Sequence, residues 1–156
     1  MVRRLRWTIA GAATIGVLCI PSAAGARGVT GSPRARAAHA LKAADTAHLR
    51  YVRSAGSLLL DEGTASGTLP GRMRASVNVG ATIRGTFTMY IHGGKVTGHG
   101  SATPHGSGRY ESFAGTLVVT GGSGRYKHAR GSARLYGTFD RDNYALVVQT
   151  AGTLHY

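Results

Sequence analysis

The sequence predicts an all-β fold, a small antiparallel meander closed into a β-barrel of about eight strands, with a β-sandwich as the alternative. Three observations carry this expectation. From His48 onward, β-branched and aromatic residues alternate with polar ones in glycine-bounded runs. The runs are joined by short, glycine-rich connections, which make neighbours in the chain neighbours in a sheet. No helical layer is written anywhere in that stretch, so the outer strands must hide their edges by closing on one another.

In chain order, residues 1–26 come first. A basic start (Arg3, Arg4, Arg6), an apolar stretch from Trp7 to Ile20 and the small-residue run Pro21 to Ala26 read as a secretory signal peptide, with Ala24-Gly25-Ala26 as the cleavage pattern. The apolar stretch is shorter than the roughly 20 residues that span a bilayer, so no transmembrane segment is expected once the signal is removed. Cys19 as a lipidation site is disfavoured by the bulky Leu18 before it. Arg6 stands where a twin-arginine signal wants an apolar residue, which favours the general secretory route. These residues predict a secreted or cell-envelope protein.

Residues 27–47 contain Gly28, Gly31, Pro33 and an alanine-rich segment in which Leu41 is the only large apolar residue. With no face to bury, this stretch reads as a flexible or partly helical linker preceding a barrel domain at 48–156. The first long run follows at Ser57 to Leu69. Arg72 to Val79 then alternates strictly, with Met73, Ala75, Val77 and Val79 on the dry face and Arg72, Arg74, Ser76 and Asn78 on the wet one. In the next run Ile83, Phe87, Met89 and Ile91 oppose Arg84, Thr86, Thr88 and Tyr90. Gly93-Gly94 reads as a two-residue hairpin turn, which pairs His92 with Lys95 and sets Val96, Gly98, Gly100 and Ala102 inward. Runs at Phe113 to Thr120, Arg130 to Phe139 and Tyr144 to Tyr156 complete the meander. The glycines Gly85, Gly98, Gly115 and Gly137 fall at inward positions, where tightly coiled strands have little room for side chains.

One internal repeat stands out: Gly106-Ser107-Gly108-Arg109-Tyr110 returns as Gly122-Ser123-Gly124-Arg125-Tyr126, and Gly115 matches Gly131 at the same offset. Such a period suits one strand with its turn, so each copy reads as a glycine turn, an aromatic plug (Tyr110 or Tyr126) and a glycine at the entry to the next strand. A phosphate cradle needs a helix behind the glycines, and strands follow here.

The segment Thr120 to Gly131, with Gly121, Gly122, Gly124, Tyr126 and Gly131 as its structural turn motif, resembles the allene oxide cyclase and dirigent-like β-barrel group. It is also similar to small exported bacterial proteins of unassigned function that carry the same turn. The resemblance implies an eight-stranded antiparallel barrel with a cavity at one end, and a cyclase or isomerase that steers a reactive lipid or phenolic intermediate. The cyclases use an acidic residue and a cysteine, and residues 27–156 contain no cysteine.

The chain carries 19 Lys and Arg, 6 Asp and Glu and a formal charge of +13. Six carboxylates restrict acid–base chemistry, and the catalytic candidates are Asp61 and Glu62. As neighbours in a strand these two face opposite sides and cannot act as a pair. An inward carboxylate in an apolar barrel would have a raised pKa, and the alternative is pairing with an Arg at a barrel mouth. Asp140-Arg141-Asp142-Asn143 reads as a hairpin turn held by its own side chains rather than a calcium loop. The seven histidines (39, 48, 92, 99, 105, 128, 155) show no metal-ligand spacing, and His92 and His99 fall about 13 Å apart along their ladder. Neither a metal nor another cofactor is expected, and no nucleophile elbow is present. The surplus of Arg reflects GC-rich coding as much as function; it supplies Arg72, Arg74, Arg84, Arg109, Arg125 and Arg130 as the contacts expected for an envelope polyanion, without the aromatic-interleaved strip of a nucleic-acid track.

The resulting expectation is a non-catalytic exported barrel that binds an apolar small molecule or acts at the cell envelope. A cyclase or isomerase, and a polyanion-binding surface protein, are the alternatives.

Overall fold

The computed structural model describes residues 39–156; the signal peptide expected at 1–26 and most of the linker expected at 27–47 lie outside them. Eight strands follow one another: β1 (Ala40–Ala55), β2 (Leu58–Gly67), β3 (Gly71–Asn78), β4 (Ile83–Ile91), β5 (Gly94–His105), β6 (Tyr110–Gly124), β7 (Arg130–Asp140) and β8 (Leu146–His155). Each pairs antiparallel with the next, and β8 returns to β1, closing the barrel. Closure leaves no sheet edge, which answers the problem an all-strand chain without a covering layer must solve. The dry faces expected for β3, β4 and β5 are the inward ones, with Met73, Val77, Ile83, Phe87, Val96 and Ala102 buried in one continuous core.

The boundary expected at residue 48 is displaced. β1 begins at Ala40, so the alanine-rich segment is a strand rather than a linker or helix from that point. Both of its edges are paired: Leu41 opposes Leu154, Ala47 opposes Val148, and Asp45 opposes both Gly67 and Thr150. Ala43 and Ala47 turn inward with Leu41 and Leu49. Small side chains bury little area, but ladder bonds to β2 and β8 replace solvent at each amide, and this tertiary pairing overrides alanine's local preference for helix.

The β4–β5 hairpin turns on His92-Gly93, with Ile91 opposite Gly94 and Tyr90 opposite Lys95, one residue earlier than the Gly93-Gly94 turn expected. Gly93 takes φ of 86°, where glycine carries no Cβ penalty. The slip moves His99 from Thr88 to Thr86, further from His92 along the ladder, and keeps the faces unchanged.

The repeat serves two different purposes. Gly121 to Gly124 complete β6, after a bulge at Thr120 where Thr97 pairs with Gly121 and Gly98 with Val119. The turn itself is Arg125 to Ala129, and Tyr126 is the expected plug: it is 5% exposed and its ring lies 4.9 Å from that of Tyr156. Tyr110 is not a plug. It opens β6 and is 64% exposed, because its copy sits before a strand at the opposite end of the barrel.

Two rims result. The β2–β3, β4–β5 and β6–β7 connections form an upper rim, and the remaining connections form a lower one. Leu69, Tyr126, Ala129 and Leu154 are buried at the upper rim. Asp45 Oδ1 accepts a 2.6 Å hydrogen bond from the Leu69 amide and thereby holds the β2–β3 turn inward. At the lower rim the ring of Tyr144 lies 5.3 Å from that of Tyr51 and 6.0 Å from that of Phe139.

Candidate functional site: the barrel interior

Around the middle of the barrel several inward positions of β1, β2, β7 and β8 carry alanine or glycine. Ala43 and Ala47 of β1, Ala65 of β2, Ala133 of β7 and Gly152 of β8 face Met73, Phe87, Met89, Val96, Leu117 and Val119 across a void of about 70 Å³. The small side chains leave this space unfilled, and Asp45 of β1 with Val148 and Leu154 of β8 also line it. A second void of about 70 Å³ lies towards the lower rim, walled by Leu49, Ala75, Val77, Ile83, Phe113, Leu135 and Leu146. The two share Met73, Phe87, Leu117 and Val148 as walls. Met73 is unbranched and adaptable, so the partition between them can yield.

Asp61 and Glu62 face opposite ways, as neighbours in β2 must. Glu62 lies on the outer face and pairs with Arg74 at 2.8 Å. Asp61 points into the barrel and is 2% exposed; its Oδ1 is buried and has no hydrogen-bond partner. Burial, which penalises the charged form, raises its pKa from 3.8 to about 6. Across the ladder it faces Tyr51 on β1 and Ala75 on β3. Ala75 walls the second void, and Asp61 itself lines neither.

Glu111 also points inward but is satisfied: Arg141 from the β7–β8 connection donates to its Oε2 from Nε at 3.0 Å and from Nη2 at 2.5 Å. No sequence pattern announced this pair, whose partners lie 30 residues apart and meet only because β6 and β7 are adjacent. Arg141→Ala is expected to lower stability by about 2 kcal/mol in urea denaturation, because it strands a buried carboxylate. An unchanged midpoint would mean that water replaces the guanidinium there.

The Asp140-Arg141-Asp142-Asn143 turn is held by its own side chains. Asp142 N donates to Asp140 Oδ1 at 3.0 Å and Ala145 N to Asn143 Oδ1 at 2.8 Å, and Tyr144 takes φ of 60°. Arg109 donates to Asp140 from Nε and Nη2 and reaches Asp142 as well. Its hydrogen bond is the largest cause holding the Asp140 pKa below the ordinary carboxylate value, with the Asp142 amide adding to it. The stability this confers is present above that ordinary value and is lost as pH falls through the lowered one.

Of the arginines expected to contact a polyanion, Arg74 and Arg109 are therefore engaged with carboxylates. Arg130 Nη1 donates to the Thr120 and Ala129 carbonyls and braces the β6 bulge. Arg125 lies over the rings of Tyr126 and Tyr156 at 5.7 Å from each. Arg72 and Arg84 are exposed on the outer wall. Among the described residues, Arg72, Arg84, Lys95, Arg125, Lys127 and Arg134 form no ion pair. All seven histidines are exposed, and no group of three His, Cys, Asp or Glu among the described residues could hold a metal.

No helix among the described residues is long and apolar enough to cross a membrane. Comparison of the chain with protein-family models, with curated proteins and with solved structures gives no match.

Proposed function

We propose that this chain is an exported, non-catalytic barrel that binds an apolar small molecule in its interior. The observation that carries the reading is the pair of adjoining apolar voids inside the barrel. An apolar cavity of about 150 Å³ stays dry and takes up benzene, so two smaller voids divided by an adaptable Met73 suit a slender apolar ligand. Native mass spectrometry of protein purified from its host's culture medium is expected to show a co-purifying small molecule. A bare mass, together with no shift in melting temperature on adding short-chain alcohols, would remove the reading. A cyclase or isomerase would require a free ionisable group at the wall of a void; Asp45, which lines the first void, accepts the Leu69 amide, and Asp61 lines neither void.

A second reading, a polyanion-binding surface, is favoured by the uneven charge of the two rims. Lys95, Arg125, Lys127 and Arg130 gather around the β4–β5 and β6–β7 connections, whereas Glu111, Asp140 and Asp142 sit at the opposite end. A polyanion docked there would release counterions, so retention on heparin is expected to fall steeply between about 50 and 200 mM salt. The double variant Arg125→Ala/Lys127→Ala is expected to elute earlier than the wild type. Elution independent of both salt and variant would remove this reading.

A further inference from the structure

We propose that the interior ligand carries a protonated amine and that Asp61 is its counter-ion, an inference that rests on the apolar-ligand reading above. Three carboxylates face the barrel interior, and two are already engaged: Asp45 by the Leu69 amide and Glu111 by Arg141. Asp61 alone presents a buried oxygen with no donor. A carboxylate is acceptor-only when ionised, so the missing partner is a donor, and an ammonium group supplies both the hydrogen bond and the opposite charge.

Among the described residues none donates to Asp61 Oδ1, and the ring of Tyr51, its ladder neighbour, packs instead against that of Tyr144. Asp61 faces Tyr51 on β1 and Ala75 on β3, while its charged neighbours Arg50, Glu62 and Arg74 lie on the outer face. Leu49 and Ala75 wall the second void, and Ala75 is the ladder neighbour of Asp61 on β3. A slender amine lying in that void would pass the small Ala75 side chain to meet the carboxylate. The apolar remainder of the ligand would contact Phe87, Leu117 and Val148, which wall both voids.

The net charge of the chain makes the proposal sharply testable. A cationic protein repels amines and attracts carboxylates at long range, so a preference for an amine must come from a local anion. The probes are n-hexylamine, n-hexanol and n-hexanoate, titrated calorimetrically into the purified protein. At pH 7.5 hexylamine is expected to bind at least tenfold more tightly than hexanol, with hexanoate weakest. In Asp61→Asn the amine preference should fall to within twofold while hexanol binding persists. At pH 4.5 the carboxylate is protonated, and the wild-type preference should vanish likewise, which tests the proposal without any variant. Equal binding of hexylamine and hexanol, tighter binding of hexanoate, or an amine preference retained in Asp61→Asn would each overturn the counter-ion assignment and leave the apolar-ligand reading standing. Failure of all three probes to bind would overturn both.

Discussion

Asp61→Asn is expected to be more favourable to stability at pH 7.5 than at pH 4 by about 3 kcal/mol. The folded-state pKa of about 6 lies above the value of 3.8 for a solvated Asp, so between those limits the native state binds more protons than the unfolded chain. Stability therefore falls as pH rises through this window and stays reduced above it. About two pH units of displacement correspond to roughly 3 kcal/mol. Asparagine is close in shape and carries no charge, so it removes the charge penalty. The cost of burying its amide donors is the same at every pH and cancels from the difference between the two pH values. Urea denaturation of both proteins from pH 4 to 8 measures the difference directly, and common titrations of the other groups cancel between them. A difference independent of pH would show that Asp61 is solvated, and a loss of stability growing towards pH 7.5 would show that it is paired. A bound amine should reverse the sign at pH 7.5, since the wild type alone can pair with it.

Gly137→Ala is expected to cost on the order of 4 kcal/mol, a large share of the 5 to 15 kcal/mol typical of a domain. A Cβ there would stand 2.3 Å from Phe113 Cζ and 2.2 Å from the Val147 carbonyl oxygen. The ring of Phe113 occupies the space that a side chain on β7 would need, and Phe87 makes the same use of Gly98, whose Cβ would meet Phe87 Cε1 at 2.7 Å. Phe113 is buried and cannot swing away without opening the core. The backbone carbonyl on the other side cannot move without breaking the β7–β8 ladder. Gly108→Ala is the control: a Cβ there meets nothing within 4 Å, and the substitution should change stability by less than about 0.5 kcal/mol. Near-equal denaturation midpoints for the two variants would mean that the inward glycines are not packing positions.

These positions also show how far the sequence could be read. The dry faces of β3, β4 and β5 were legible because strict alternation has one physical meaning, a sheet with one buried side. The opposite facing of Asp61 and Glu62 followed from the same period. The alanine segment was not legible as β1, because its side chains announce neither helix nor strand and the decision came from the open edges of β2 and β8. The repeat misled at Tyr110 for a related reason: identical pentapeptides fall on opposite rims, one before a strand and one after, and burial depends on what lies across the barrel.

What the sequence determined by itself was local: strand periodicity, glycine turns, the inward glycines and hence an all-β meander. Tertiary structure alone decided closure at β1 and β8, the two voids opposite the alanines, the Glu111–Arg141 pair and the isolation of Asp61. Each of these depends on contacts between residues far apart in the chain, and whether a carboxylate inside a barrel finds a donor is fixed by which strands curve round to meet it.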